Sequence, residues 1–122
     1  ATETLESLRE RGWRLAVATN DSELLAIEHI EALEWEGLFT SIKGFDSGHG
    51  AKPGPGMVIA AADDCDALDG LYLMVGDSVH DILAGKAAGA ITVAIGSHPA
   101  ALQLADHKID QLGDLLKLVE SF

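Results

Sequence analysis

Short apolar runs alternate along this chain with stretches in which apolar positions recur roughly every three to four residues, the pattern of buried strands and of helices laid against them. The sharpest case is Leu71-Tyr72-Leu73-Met74-Val75-Gly76-Asp77. It predicts a strand ending in glycine and aspartate, followed at once by a helix carrying Ile82, Leu83, Ala87 and Ala88 inward. Upstream, Thr2 to Arg11 predicts a helix with Leu5 and Leu8 inward and Gly12 as its stop, and Leu15 to Thr19 a strand. A second helix runs to about Glu34, with Ile27, Ile30 and Leu33 as its stripe and Asn20 and Glu23 spaced as a capping pair. Trp35, Leu38 and Phe39 would pin its end. Ser41 to Phe45 predicts a strand, and Pro55 to Asp64 a helix with Met57, Val58 and Ala61 inward. Beyond Gly89 come a strand from Ile91 to Ile95, a short helix to about Ala105 capped by Gly96-Ser97-His98-Pro99, an edge strand from Lys108 to Asp110, and a closing helix from Leu112 to Val119.

Strands that alternate with helices in this way imply an α/β fold, a parallel sheet with helices on both faces. Ligands of such sheets bind just beyond the carboxyl ends of the strands. That rule selects Thr19 and Asn20 after one strand and Asp77 after another, with Asp81 one helical turn further on the same side. Ser78 and Asp81 also have the spacing of a capping box, which accounts for Asp81 but not for Asp77. Lys52 lies in a loop, residues 46–56, stiffened by glycines and by Pro53 and Pro55, and is not on a helix face.

The formal charge of −12 comes from 20 acidic against 8 basic side chains, which disfavours nucleic acid or an anionic membrane as partner and would attract a divalent cation. No apolar run approaches the roughly 18 residues of a membrane span, and the single Cys65 offers neither a disulfide framework nor a thiolate metal site. A cytoplasmic protein is expected. The five histidines lack a helical metal-binding spacing, and His80, the one near the candidate site, is expected on an exposed helix face. With 122 residues the chain suits one domain, and no internal repeat or linker divides it.

Val17-Ala18-Thr19-Asn20, Lys52-Pro53-Gly54-Pro55, and Gly76-Asp77-Ser78-Val79-His80-Asp81 occur here in an order and spacing that resemble the haloacid dehalogenase superfamily, specifically its phosphoglycolate phosphatase-like members. The likeness runs from Thr2 into the closing helix, including Ala105-Asp106 and Leu112-Gly113-Asp114. It implies a Rossmann-like core and a Mg²⁺-dependent phosphomonoester hydrolase acting on a small phosphorylated metabolite through an aspartyl-phosphate. By the same resemblance Thr19 donates its hydroxyl to the substrate phosphate, and Asn20 adds polar contacts. Lys52 neutralises the phosphate and the attacking carboxylate. Asp77 is a direct Mg²⁺ ligand, and Asp81 holds the metal's water or the lysine. A hard cation that takes oxygen ligands, a fixed ammonium and an aligned donor are what phosphoryl transfer asks for.

One part of the family pattern has no match: its opening strand, which ends in D-x-D-G and carries the nucleophile and the general acid. The only Asp-x-Asp here is Asp64-Cys65-Asp66 at a helix end, and Asp46, though it follows a strand, falls in a loop that varies in the family. The resemblance puts the absent strand at the centre of the sheet, between the strands that end at Thr19 and Gly76. At about 4.8 Å between strands its absence would leave a gap of roughly 9 to 10 Å. Residues 1–122 are therefore expected to form a single, incomplete core domain, with the nucleophile strand and any lid supplied N-terminally. No lid is expected between Thr19 and Lys52, where a helix, a strand and a loop occupy residues 20–51. The alternative is a catalytically inactive relative that serves as a binding or assembly module, its sheet completed by a complementing segment or a second copy. A phosphate-accepting receiver domain fits less well, because its carboxylates belong to early strands.

Overall fold

The computed structural model describes residues 1–122 as five parallel strands and six α-helices in strict alternation. The order is α1 (Thr2–Glu10), β1 (Ala16–Ala18), α2 (Glu23–Ala32), β2 (Ser41–Lys43), α3 (Gly56–Asp64), β3 (Leu73–Gly76), α4 (Val79–Ala88), β4 (Ile91–Ile95), α5 (Pro99–Leu104), β5 (His107–Ile109) and α6 (Leu115–Leu118). Single 3₁₀ turns at Leu112–Asp114 and Val119–Ser121 flank α6, so the closing helix is shorter and tighter than its apolar pattern predicts.

The strands form two sets that share no ladder hydrogen bonds. β1 pairs with β2, Ala16 opposite Ser41 and Ala18 opposite Lys43. β3 pairs with β4, Leu73 opposite Ile91 and Gly76 opposite Ala94, and β4 with β5, Val93 opposite His107. The chain thus winds outward from β1 to β2, returns through α3, and winds outward again from β3 to β5. Such a reversal of winding direction is where open α/β sheets bind ligands.

Two apolar layers hold the sets together across their faces. On one side Leu8, Val93, Ile109, Leu115 and Val119 form a cluster that takes in Leu15, just before β1, and Leu73 and Val75 of β3. On the other, Met57 and Val58 of α3 pack with Met74 of β3, Ala84 of α4 and Ala90, and Ala18 of β1 joins them. Each layer touches both strand sets, so burial, which stabilises by about 25 cal/mol per Å² of apolar surface, does the joining that the ladder does not.

The helices differ from their sequence patterns in two places. Ser22, not Asn20, caps α2, its hydroxyl accepting from the Leu25 amide, and Asp46 satisfies a further orphan amide by accepting from Glu23 N. The buried positions of α2 are Ala26 and Ile30, while Ile27 is half-buried and Leu33 is 54% exposed. This helix has only a two-stranded set to lie on, and a narrower strip suffices. In α4 the inward face is Asp81, Ile82, Ala84 and Gly85; Leu83 and Ala87 face outward. Gly89, left-handed at φ 85°, ends α4 as its position in the sequence implies.

Candidate active site

The candidate residues sit at the carboxyl ends of β1 and β3, on the loop between β2 and α3, or, for Asp81, on the first turn of α4. Thr19 leaves β1 with its amide still bonded to the Lys43 carbonyl, and its hydroxyl oxygen accepts from Asp21 N at 3.1 Å. That bond fixes the hydroxyl and leaves its proton free to be donated elsewhere.

Lys52 is the hub. Its ammonium donates to the Ala18 carbonyl at the end of β1, at 2.9 Å, and to Asp81 Oδ1 on the first turn of α4. The two side chains are only 9% and 12% exposed, so the pair is shielded by protein from bulk water. An ammonium carries three donors, and two are thereby accounted for, leaving one N–H for an anion.

Asp81 is held on both oxygens. Oδ1 takes the lysine and Oδ2 accepts from the Ser78 amide, while the Ser78 hydroxyl accepts from Asp81 N, completing the capping box. Of the two roles the resemblance implies for Asp81, the geometry displays the one that holds the lysine. Its approach to the backbone depends on Gly76, where a Cβ would fall 2.3 Å from Asp81 Cβ and 2.5 Å from its Oδ2. Asp77 follows Gly76 directly, with its side chain exposed at the strand end.

Asn20 faces Lys52 rather than open space. Its Nδ2 donates to the Lys52 carbonyl at 3.1 Å, and its Oδ1 accepts from the Lys52 amide at 2.8 Å. The loop that carries Lys52 is anchored further upstream, where the Phe45 amide donates to Asp21 O and Asp46 reaches the start of α2. Gly44 permits this crossing, since a Cβ there would lie 2.3 Å from Glu23 N.

The remaining Asp-x-Asp stands apart from this cluster. Asp64, at the end of α3, is bonded to Lys43 at 2.8 Å and to the Ser41 hydroxyl at 2.7 Å, contacts that hold its carboxyl below the usual carboxylate range. Asp66 pairs with Arg14. Neither is presented as a nucleophile. Asp46 is spent on the α2 cap, and His80 is exposed, as its helical position implies.

No three His, Cys, Asp or Glu side chains lie close enough together to cage a metal. Magnesium does not require a cage: it keeps several waters and takes one or two carboxylates together with substrate phosphate. Asp77, a hard oxygen donor exposed at the carboxyl end of β3, fits that partial mode.

Two participants were given no role in the site from the sequence. The Ala18 carbonyl acts through the backbone, which any residue would supply. Gly76 could have been found as a glycine five positions before an inward-facing Asp81, a spacing that lets a helix's first turn lie on the strand end.

The fold and this cluster define an α/β protein whose polar side chains meet where the winding of a parallel sheet reverses. A haloacid dehalogenase-like hydrolase family model matches residues 1–95, and the chain belongs to that family. The phosphoglycolate phosphatase of Aquifex aeolicus is 33% identical over 120 residues, which is 97% of this chain and 56% of that protein. Pyrophosphatase PpaX of Halalkalibacterium halodurans is 33% identical over 94 residues, 77% of this chain and 44% of its own length. Among solved structures, a predicted phosphoglycolate phosphatase from Haemophilus somnus 129PT is 30% identical with a TM-score of 0.88, over 97% of this chain and 55% of that one. The chain spans about half the length of the curated relatives it matches. No helix is long and apolar enough to cross a membrane.

Proposed function

We propose that these residues form the greater part of the active site of a Mg²⁺-dependent phosphomonoester hydrolase of the phosphoglycolate phosphatase kind, working on a small phosphorylated metabolite in the cytoplasm. The observation that carries the reading is the Lys52 ammonium, held between Asp81 and the carbonyl of Ala18, the residue before Thr19, whose hydroxyl is oriented by the Asp21 amide. A fixed cation and a fixed donor at strand ends are suited to a tetrahedral dianion, and they need not reorganise as charge shifts in the transition state.

In this reading Thr19 donates to one phosphate oxygen and Lys52 to another, while also drawing the attacking carboxylate toward phosphorus. Asp81 keeps the ammonium aimed. Asp77 would hold the magnesium ion, which when bound supplies charge neutralisation at the phosphoryl oxygens. The attacking carboxylate and the general acid belong to an extended segment paired between β1 and β3, outside residues 1–122, and any lid that selects the substrate lies with that segment. The lack of any ladder between β1 and β3 supports this, as does the engagement of Asp64 and Asp66 elsewhere. Residues 1–122 on their own would then be inactive.

The test is turnover of a generic aryl phosphate by the protein at its natural length. Lys52→Ala and Asp77→Asn should each abolish it, and near-normal rates in either variant would remove that assignment. A wild-type protein with no turnover but a stable association with a second copy would instead favour a binding or assembly module.

A further inference from the structure

Both polar atoms of the Asn20 side chain are committed to one residue's backbone. Nδ2 donates to Lys52 O and Oδ1 accepts from Lys52 N, so the amide meets Lys52 as a neighbouring strand would. A phosphate contact would have to come from the one N–H that Nδ2 has left, without breaking this clamp. The lysine side chain, by contrast, is a flexible stem that can place its ammonium correctly only if its own backbone is fixed.

Lys52 needs such a fixing point because nothing in regular structure provides one. It lies in the connection between β2 and α3, outside any helix or strand, yet its ammonium must reach the Ala18 carbonyl on one strand set and Asp81 on the other. The Asn20 clamp ties the loop to the residue just after Thr19, so the donor hydroxyl and the ammonium are held in register by one short stretch of chain.

We propose that Asn20 is a positioning residue that acts through Lys52 and does not touch the substrate. This rests on the phosphatase reading of the site and narrows it. The spacing rule it suggests is an amide side chain directly after the strand-end hydroxyl, used to hold the lysine loop.

The experiment is a double-mutant cycle in the protein at its natural length, read by calorimetric binding of inorganic phosphate in the presence of magnesium, with thermal melting to verify that each variant is folded. Asn20→Ala should weaken phosphate binding about three- to tenfold, the scale of one or two lost hydrogen bonds, and should speed amide exchange at Lys52. In a Lys52→Ala background the same substitution should change phosphate binding by less than about twofold, because the group through which it acts is gone. An equal loss in both backgrounds would make Asn20 a direct phosphate contact and overturn the proposal. So would undiminished binding in Asn20→Ala alone. If Lys52→Ala itself leaves phosphate binding unchanged, the phosphate-site reading fails first and takes the positioning role with it.

Discussion

Lys52 and Asp81 form an ion pair that spans the boundary between the β1–β2 and β3–β4–β5 strand sets. The lysine comes from the loop after β2, and its acidic partner from the helix after β3. Because both side chains are largely withdrawn from water, the pair should matter for stability as well as for chemistry. Removing one partner of a shielded pair typically costs about 3–5 kcal/mol, since it strands the other charge. Asp81→Ala should therefore lower the urea midpoint clearly, and Asp81→Leu combined with Lys52→Met should recover part of that loss. A double variant no more stable than the single one would refute this account.

Asp77→Asn should behave differently. The side chain is exposed, and the substitution keeps its size, so unfolding free energy should stay within about 0.5 kcal/mol of wild type. Magnesium affinity in the presence of phosphate should fall at least about tenfold. Calorimetry together with denaturant unfolding separates the two effects, and unchanged magnesium binding would clear Asp77 of the ligand role.

Gly76→Ala tests the close approach of Asp81. The added Cβ would meet the Asp81 side chain at 2.3 Å, so the first turn of α4 must shift away from β3. A destabilisation of about 1–3 kcal/mol is expected, as for other overpacked sites. Activity should drop sharply, because displacing Asp81 displaces the lysine with it. A variant with wild-type turnover would show that the approach is not needed.

The acid limb of stability should carry the signature of Asp106. Its carboxylate accepts from the amide and the hydroxyl of buried Thr92 and faces Lys86, and these contacts hold its pKa below the ordinary 3.8. A depressed native pKa means that the stabilisation is fully present above the unfolded-state value and is lost as pH falls below it toward the native one. Between neutral pH and about pH 5 this group should contribute no slope. Below about pH 4 the wild type should lose stability more steeply than Asp106→Asn, which is expected to be less stable at neutral pH. Chemical denaturation across that range checks the slope, and parallel curves would contradict it.

The order of elements was legible because turn residues bracket each apolar run. Gly12, Gly89 and Pro99 stand where helices stop or start, and the predicted strand from Leu15 to Thr19 differs from β1 only at its ends. The stripe of α2 was less legible. Ile27 and Leu33 look inward in a helical projection, but how much of a helix is covered depends on the width of sheet beneath it, which no local pattern reports. The site divides in the same way. Thr19, Lys52, Asp77 and Asp81 were candidates from an order and spacing that resemble the family, and the contacts of Lys52 link the end of β1 to the first turn of α4. The orientation of Asn20 could not be read, because an asparagine after a strand suits a helix cap, a ligand contact or a backbone clamp equally well, and only the distance to Lys52 separates them.

The outward winding of the chain in both directions has a consequence for how this molecule can diverge. β2 and β5 stand at the margins of their sets, whereas β1 and β3 deliver their carboxyl ends straight into the site. Insertions and sequence drift should accumulate on β5 and in the connections at the opposite rim at little functional cost. A single residue added before Thr19 or between Gly76 and Asp81 would put the whole constellation out of phase.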